Sequence, residues 1–194
     1  MTTWLVVGLG NPGKDYARTR HNAGADAVEL LAKRHGEKLK RDNKNRSLAA
    51  SIRIGGARVV LAFPQTYMNE SGIAVQSLAA YHGVDDIARI VIVHDELDIE
   101  TGRIKLKEGG GLAGNNGLRS IKQHLHGDAF LRVRIGIGKP PGRQHGANHV
   151  LSRPTKAEAE LLAVTIEEAA DAVEMIVTDG IAAAMNVYNT TRGE

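Results

Sequence analysis

Four places in this 194-residue chain carry polar side chains whose types could do acid–base chemistry together. Asn11 and His21 follow an apolar run, Trp4–Gly8. The segment Pro64-Gln65-Thr66-Tyr67-Met68-Asn69 follows a second run, Ala57–Phe63. His94-Asp95-Glu96 ends a third, Ile90–Val93, and Asn115-Asn116 follow the loop Gly109-Gly110-Gly111. One histidine, one carboxylate and several amides suit a general base oriented by an acid, with amide donors for a developing oxyanion. Taken singly, each residue is equally a cap, a turn former or a surface group. Their common feature is position. Each falls just after a predicted strand or in the loop that follows, and in open α/β sheets sites are built at the carboxyl ends of strands.

Other chemistries fit less well. Gly8-Leu9-Gly10-Asn11-Pro12-Gly13 matches a dinucleotide fingerprint, but the next helical pattern begins well past Gly13, so no helix N-terminus meets a pyrophosphate. Extended to Lys14, the same stretch is a phosphate loop short by one position. Asp15 stands where a Ser or Thr would hold magnesium, and Pro12 removes a backbone N–H. The glycines are expected to give backbone room to a tight turn. There is no Gly-x-Ser-x-Gly elbow and no His-Glu-x-x-His helix. His145 and His149 lie four apart, but Pro140, Pro141, Gly142 and Gly146 speak against a helix there and no third ligand is evident, so no metal is expected. His124 and His126 read as complements to a helix C-terminus or as surface groups. The chain has no cysteine, which excludes disulfide frameworks, Cys-zinc sites, iron–sulfur clusters and thiol nucleophiles.

The elements that must position the polar groups follow from periodicity. Trp4–Gly8 and Ile90–Val93 are β-branched apolar runs, as in strands covered on both faces. Leu48–Ile54 and Ala57–Phe63 flank Gly55-Gly56 and read as a hairpin. Arg103–Lys107 and Leu131–Ile137 alternate basic and apolar residues, the pattern of strands with one wet face. Helical patterns cover Asn22–His35, Asn69–His82 with Gly83 as its stop, and Gly117–Leu125. The longest begins at Thr155 with Glu158 three residues on, a capping box, and ends at Gly180; a short helix follows. Strands alternating with helices predict an α/β fold. The expected form is a single-domain three-layer sandwich over residues 1–194, with a mixed, mostly parallel central sheet flanked by helices.

Composition narrows the partner. Hydrophobic residues at 42% and charged ones at 24% suit an ordinary globular core, and no apolar run is long enough to span a membrane. The start of the chain shows no basic n-region or cleavage site, so the cytoplasm is the expected address. Residues 156–194 hold two basic side chains against eight acidic ones, leaving the first 155 residues with 23 basic against 14 acidic. Seven of these basic residues (Lys33, Arg34, Lys38, Lys40, Arg41, Lys44, Arg46) fall within fourteen positions. Such a body suits a polyanion, although a charge run is as often a solvated loop. Aromatic residues make up only 4% of the chain, so a nucleic acid would be held by its backbone rather than by base stacking.

Several ordered blocks resemble the bacterial peptidyl-tRNA hydrolase family across nearly the whole chain. They are Val6-Val7-Gly8-Leu9-Gly10-Asn11-Pro12-Gly13, Thr19-Arg20-His21-Asn22-Ala23-Gly24, Pro64-Gln65-Thr66-Tyr67-Met68-Asn69-Glu70-Ser71-Gly72 and His94-Asp95-Glu96-Leu97-Asp98. Lys105-Leu106-Lys107 with its glycine loop, Asn116-Gly117-Leu118-Arg119 and Arg132-Val133-Arg134-Ile135-Gly136-Ile137-Gly138 extend the match. The resemblance implies cleavage of the ester joining a peptide to the 3′ ribose of tRNA, by a monomer without metal or cofactor. It implies His21 as the base that activates water, Asp95 as its orienting acid, and Asn11, Asn69 and Asn116 as donors to the peptide, the ester and the oxyanion. Tyr16, Tyr67 and Met68 would wall the cleft, while Lys105, Lys107 and Arg134 would clamp phosphate. The chain departs from the family in the glycine loop, where Ala113-Gly114-Asn115-Asn116-Gly117 replaces the usual Gly-Gly-His-Asn-Gly. Asn115 thus stands for a substrate-binding histidine, which implies reduced or retuned turnover. The rival is an RNA-binding protein on the same fold whose catalysis has weakened at this position.

Overall fold

Apolar β-branched stretches form the centre of a seven-stranded sheet, in the order β2-β3-β4-β1-β5-β7-β6, in a computed structural model that describes residues 1–142 and 145–190. The strands are β1 (Thr3–Gly8), β2 (Lys40–Asp42), β3 (Ser47–Ile54), β4 (Ala57–Pro64), β5 (Ile90–Glu96), β6 (Ile104–Glu108) and β7 (Leu131–Gly136). Strands β4, β1, β5 and β7 pair in parallel, so their carboxyl ends share one edge, while β2, β3 and β6 join by antiparallel ladders. The helices are α1 (Ala23–Arg34), α2 (Ser71–His82), α3 (Asn116–Leu125), α4 (Gly146–Val150), α5 (Lys156–Asp179) and α6 (Ile181–Tyr188). Helices α1, α5 and α6 bury their apolar sides on one face of the sheet; α2 and α3 cover the other. The result is the three-layer mixed-sheet sandwich expected from the alternation of patterns.

Local details follow the residues. Gly83, at φ 69°, ends α2 in the left-handed conformation that an L side chain resists. Thr155 and Glu158 form the capping box of α5. Strand β5 runs past its apolar stretch to include His94, Asp95 and Glu96, all buried. Two further differences arise from partners that lie far off in sequence. The five-residue α4 forms despite its neighbouring prolines and glycines, and β2 forms inside the basic run because it pairs with β3. Part of that run answers the acidic tail. Arg34 binds Glu167 and Asp171 of α5, and the His35 ring lies 2.9 Å from Glu174. No helix among the described residues is long and apolar enough to cross a membrane.

Helix α1 meets the sheet at backbone contact. A Cβ placed on Gly24 would lie 2.0 Å from the Val93 carbonyl oxygen, and one on Gly8 would lie 2.2 Å from the Gly24 oxygen. The first turn of α1 therefore rests directly on β1 and β5. A Gly24→Ala substitution overpacks this contact against backbone on both sides. It is expected to cost about 3 kcal/mol, at the upper end of overpacking penalties, read as a lowered midpoint in denaturant unfolding.

Candidate active site

The strand-end residues converge at the carboxyl edge of β1, β4 and β5. The connection that leaves β1 runs to one side of the sheet and the one that leaves the adjacent β5 runs to the other, the usual place for a site in an open α/β sheet. A one-turn 3₁₀ segment, Arg20–Asn22, leads into α1 and holds His21 over the end of β5. The His21 Nδ1 lies 2.9 Å from each oxygen of Asp95. A carboxylate only accepts, so Nδ1 carries the proton and the Nε2 lone pair is left for a reactant. Burial alone would lower the His21 pKa. The Asp95 charge and hydrogen bond outweigh it, and the net direction is upward from 6.5.

The amides are oriented by the backbone. Asn22 brackets Asn11, accepting its N–H and donating to its carbonyl, both at 2.9 Å. The Asn11 side-chain oxygen accepts the Met68 N–H at 2.8 Å. Because that partner is a donor, the oxygen is the bound atom and the Asn11 NH₂ remains to donate. Asn115 behaves alike: it is the N-cap of α3, its oxygen accepting the Leu118 N–H at 3.0 Å. Asn69 and Asn116 are exposed on the cleft and make no side-chain hydrogen bond among the described residues.

These groups line one cleft of about 470 Å³, bounded by Asn11, His21, Tyr67, Met68, Asn69, Asp95, Asn115 and Asn116. Tyr16 does not line it. Its backbone is tied into the turn before Thr19, and its ring is half-buried elsewhere. Lys105, Lys107 and Arg134 also stand apart, on the β6–β7 ladder, where Lys105 pairs with Arg134 and Lys107 with Arg132. Arg134 lies on β7 beside His94 of β5, and Lys105 and Lys107 lie one strand further out on β6, so the three form a basic strip next to the site. His145 and His149 make no pair of ligands: the buried His149 ring contacts the Ile137 carbonyl.

Several contributors escaped the sequence reading. Asn22 lies in the Thr19–Gly24 block, and the resemblance implies no role for it. Glu96 lines the cleft; burial raises its pKa against the opposing influence of the Asp98 N–H and Arg134. The apolar cover of the cleft, Leu97, Val150 and Leu151, comes partly from α4. Arg20 ties that cover down, donating to the carbonyls of His149, Ser152 and Arg153 and pairing with Glu158. Below the site, His94 donates from Nδ1 to the Asp95 carbonyl at 2.7 Å, and burial pushes its pKa down to about 4, so it is neutral.

Asn115→Ala removes the cap of α3 and is expected to lower stability by about 1 kcal/mol, measured by denaturant unfolding. Asn115→Ser, which keeps a capping oxygen, should restore most of that loss.

The sequence pattern defining the Peptidyl-tRNA hydrolase family matches residues 5–194. The peptidyl-tRNA hydrolase of Mycolicibacterium vanbaalenii is 53% identical over 95% of this chain and 96% of its own. That of Frankia alni is 48% identical over 96% and 93%. The crystal structure of the Acinetobacter baumannii peptidyl-tRNA hydrolase superposes with a TM-score of 0.90 at 42% identity, covering 97% of this chain and 95% of that one. A family pattern that matches residues 5–194, with relatives this similar over nearly their whole length, makes the chain a member of the peptidyl-tRNA hydrolase family.

Proposed function

We propose that this protein hydrolyses the ester between a peptide and the 3′ ribose of tRNA, with His21 as general base. The observation that carries the reading is the His21–Asp95 pair, with its free Nε2 facing a cleft of amide donors. Nε2 takes a proton from water as the water oxygen attacks the ester carbonyl carbon. The oxyanion that forms accepts hydrogen bonds from the amides, Asn116 and Asn69 being free to move to it. A single such donor is typically worth about 3–4 kcal/mol of barrier. Collapse breaks the bond to the ribose oxygen, and the imidazolium returns its proton to that oxygen. Free peptide and tRNA result, with no step that requires a metal or cofactor.

Discrimination between blocked and free amines follows from Asn11. Its NH₂ can donate to a peptide carbonyl, whereas the α-ammonium of an aminoacyl-tRNA also only donates and finds no acceptor there. Tyr67 and Met68 wall the cleft, and Lys105, Lys107 and Arg134 meet RNA phosphates on the β6–β7 strip. The whole chain is read as one domain acting as a monomer in the cytoplasm. The weakened-catalysis alternative is not favoured, because Asn115 replaces an imidazole without disturbing the base, its acid or the other donors.

N-blocked aminoacyl-tRNA is expected to be cleaved and unblocked aminoacyl-tRNA spared, with no effect of chelator. His21→Ala should lose about 10²- to 10⁴-fold in turnover. Binding of tRNA without His21-dependent cleavage would overturn the reading. The neutral imidazole is the competent form, so activity rises with pH through a His21 pKa lying above 6.5. Asp95→Asn leaves only the lowering effect of burial. The acid limb of the pH–rate profile should therefore move to lower pH while the plateau falls.

A further inference from the structure

Arg132 is 1% exposed, yet among the described residues no carboxylate lies within ion-pair distance of it. Burial and the nearby Arg134 charge push its pKa down, against the weaker opposing influence of the Glu96 and Asp128 charges. Its guanidinium donates to the carbonyls of Gly111 at 2.8 Å and Gly109 at 3.0 Å. A buried cation whose hydrogen bonds go only to neutral carbonyls is expensive, and an apolar side chain would pack the same space at less cost. What those two carbonyls belong to is the loop that carries Asn115 and Asn116. Gly109, Gly110, Ala113 and Gly114 all have positive φ there, so the loop path is unusual and needs holding. Its second half is pinned by the Asn115 N–H to Leu112 and by the α3 cap. Its first half is pinned by Arg132.

We propose that Arg132 is a positioning residue for ester hydrolysis, clamping Gly109 and Gly111 so that the Asn116 amide faces the cleft. The inference rests on the role given above to Asn116. Lys107, directly across the ladder from Arg132, packs over the same loop: a Cβ on Gly110 would lie 2.6 Å from its Cε. The amide-bearing loop is thus held by residues of the strand pair whose outer face is offered to RNA.

The test measures kcat, KM and melting temperature of Arg132→Lys on N-blocked aminoacyl-tRNA, alone and combined with Asn116→Ala. Lysine keeps the charge but cannot bridge two carbonyls as a planar fork does. A misplaced donor predicts a fall in kcat of about 10- to 100-fold with little change in KM. In the Asn116→Ala background the same change should alter kcat by less than about twofold, because the group it positions is gone. A full, additive loss in that background would overturn the inference, as would a lowered melting temperature with unchanged kcat. Asn116→Ala with undiminished turnover would instead overturn the role of Asn116, and this inference with it. Gly110→Ala, which strains the same loop at φ 89° without touching the core, should reproduce the kcat loss and its non-additivity. It decides the matter should Arg132→Lys fail to fold.

Discussion

A helix can set its first turn directly on a β-sheet only where neither surface carries a side chain. Gly24 on α1 and Gly8 on β1 meet this condition, with the Val93 carbonyl beneath. The consequence is chemical as well as structural. The residues just before that turn, Arg20 to Asn22, are brought over the strand ends. There His21 reaches Asp95 and Asn22 brackets Asn11. A methyl group at either glycine would lift the turn and lengthen a pair of hydrogen bonds that orient the base. The tight packing that stabilises the layer and the geometry that would activate water are one constraint.

An asparagine amide is ambiguous, able to donate or accept. The fold removes the ambiguity at Asn11 and Asn115 by offering each oxygen a backbone N–H that has no other partner: Met68 before α2 and Leu118 in the first turn of α3. Unpaired donors are unavoidable at helix starts. The cleft uses two of them to turn amides into committed donors. At these two positions a carbonyl oxygen would find a donor, and a cationic amine would find no acceptor.

What could be read in the sequence was local. Strand ends announced themselves by where apolar runs stopped, Gly83 and Gly180 by their type, and the α5 cap by Thr155 and Glu158 three apart. Asn11, His21, Asn69, Asp95 and Asn116 were legible as polar groups because each follows such a boundary, and only the resemblance to the family gave them roles. The remainder depended on partners remote in the chain. Arg20 and the α4 segment it anchors are some 130 residues apart. The pairing of β2 with β3, and of Arg34 with α5, likewise has no local signature. Arg132 read simply as a polar position on a strand with one wet face. Only the folded structure shows that this position lies under a loop, where the face is dry.

The same distinction between local and remote partners bears on Asn115. The resemblance of the sequence to the family implies a histidine here, which invites the conclusion that a proton-carrying group has been lost. The position is also the N-cap of α3, and a short side-chain oxygen serves a cap better than an imidazole does. Asparagine therefore stabilises the start of the helix that presents Asn116 and still directs an NH₂ toward the cleft. What is given up is a second imidazole. His21 is the only histidine lining the cleft among the described residues, and Asp95 raises its pKa. Asn115 thus gives α3 a firm cap and leaves the His21–Asp95 pair intact.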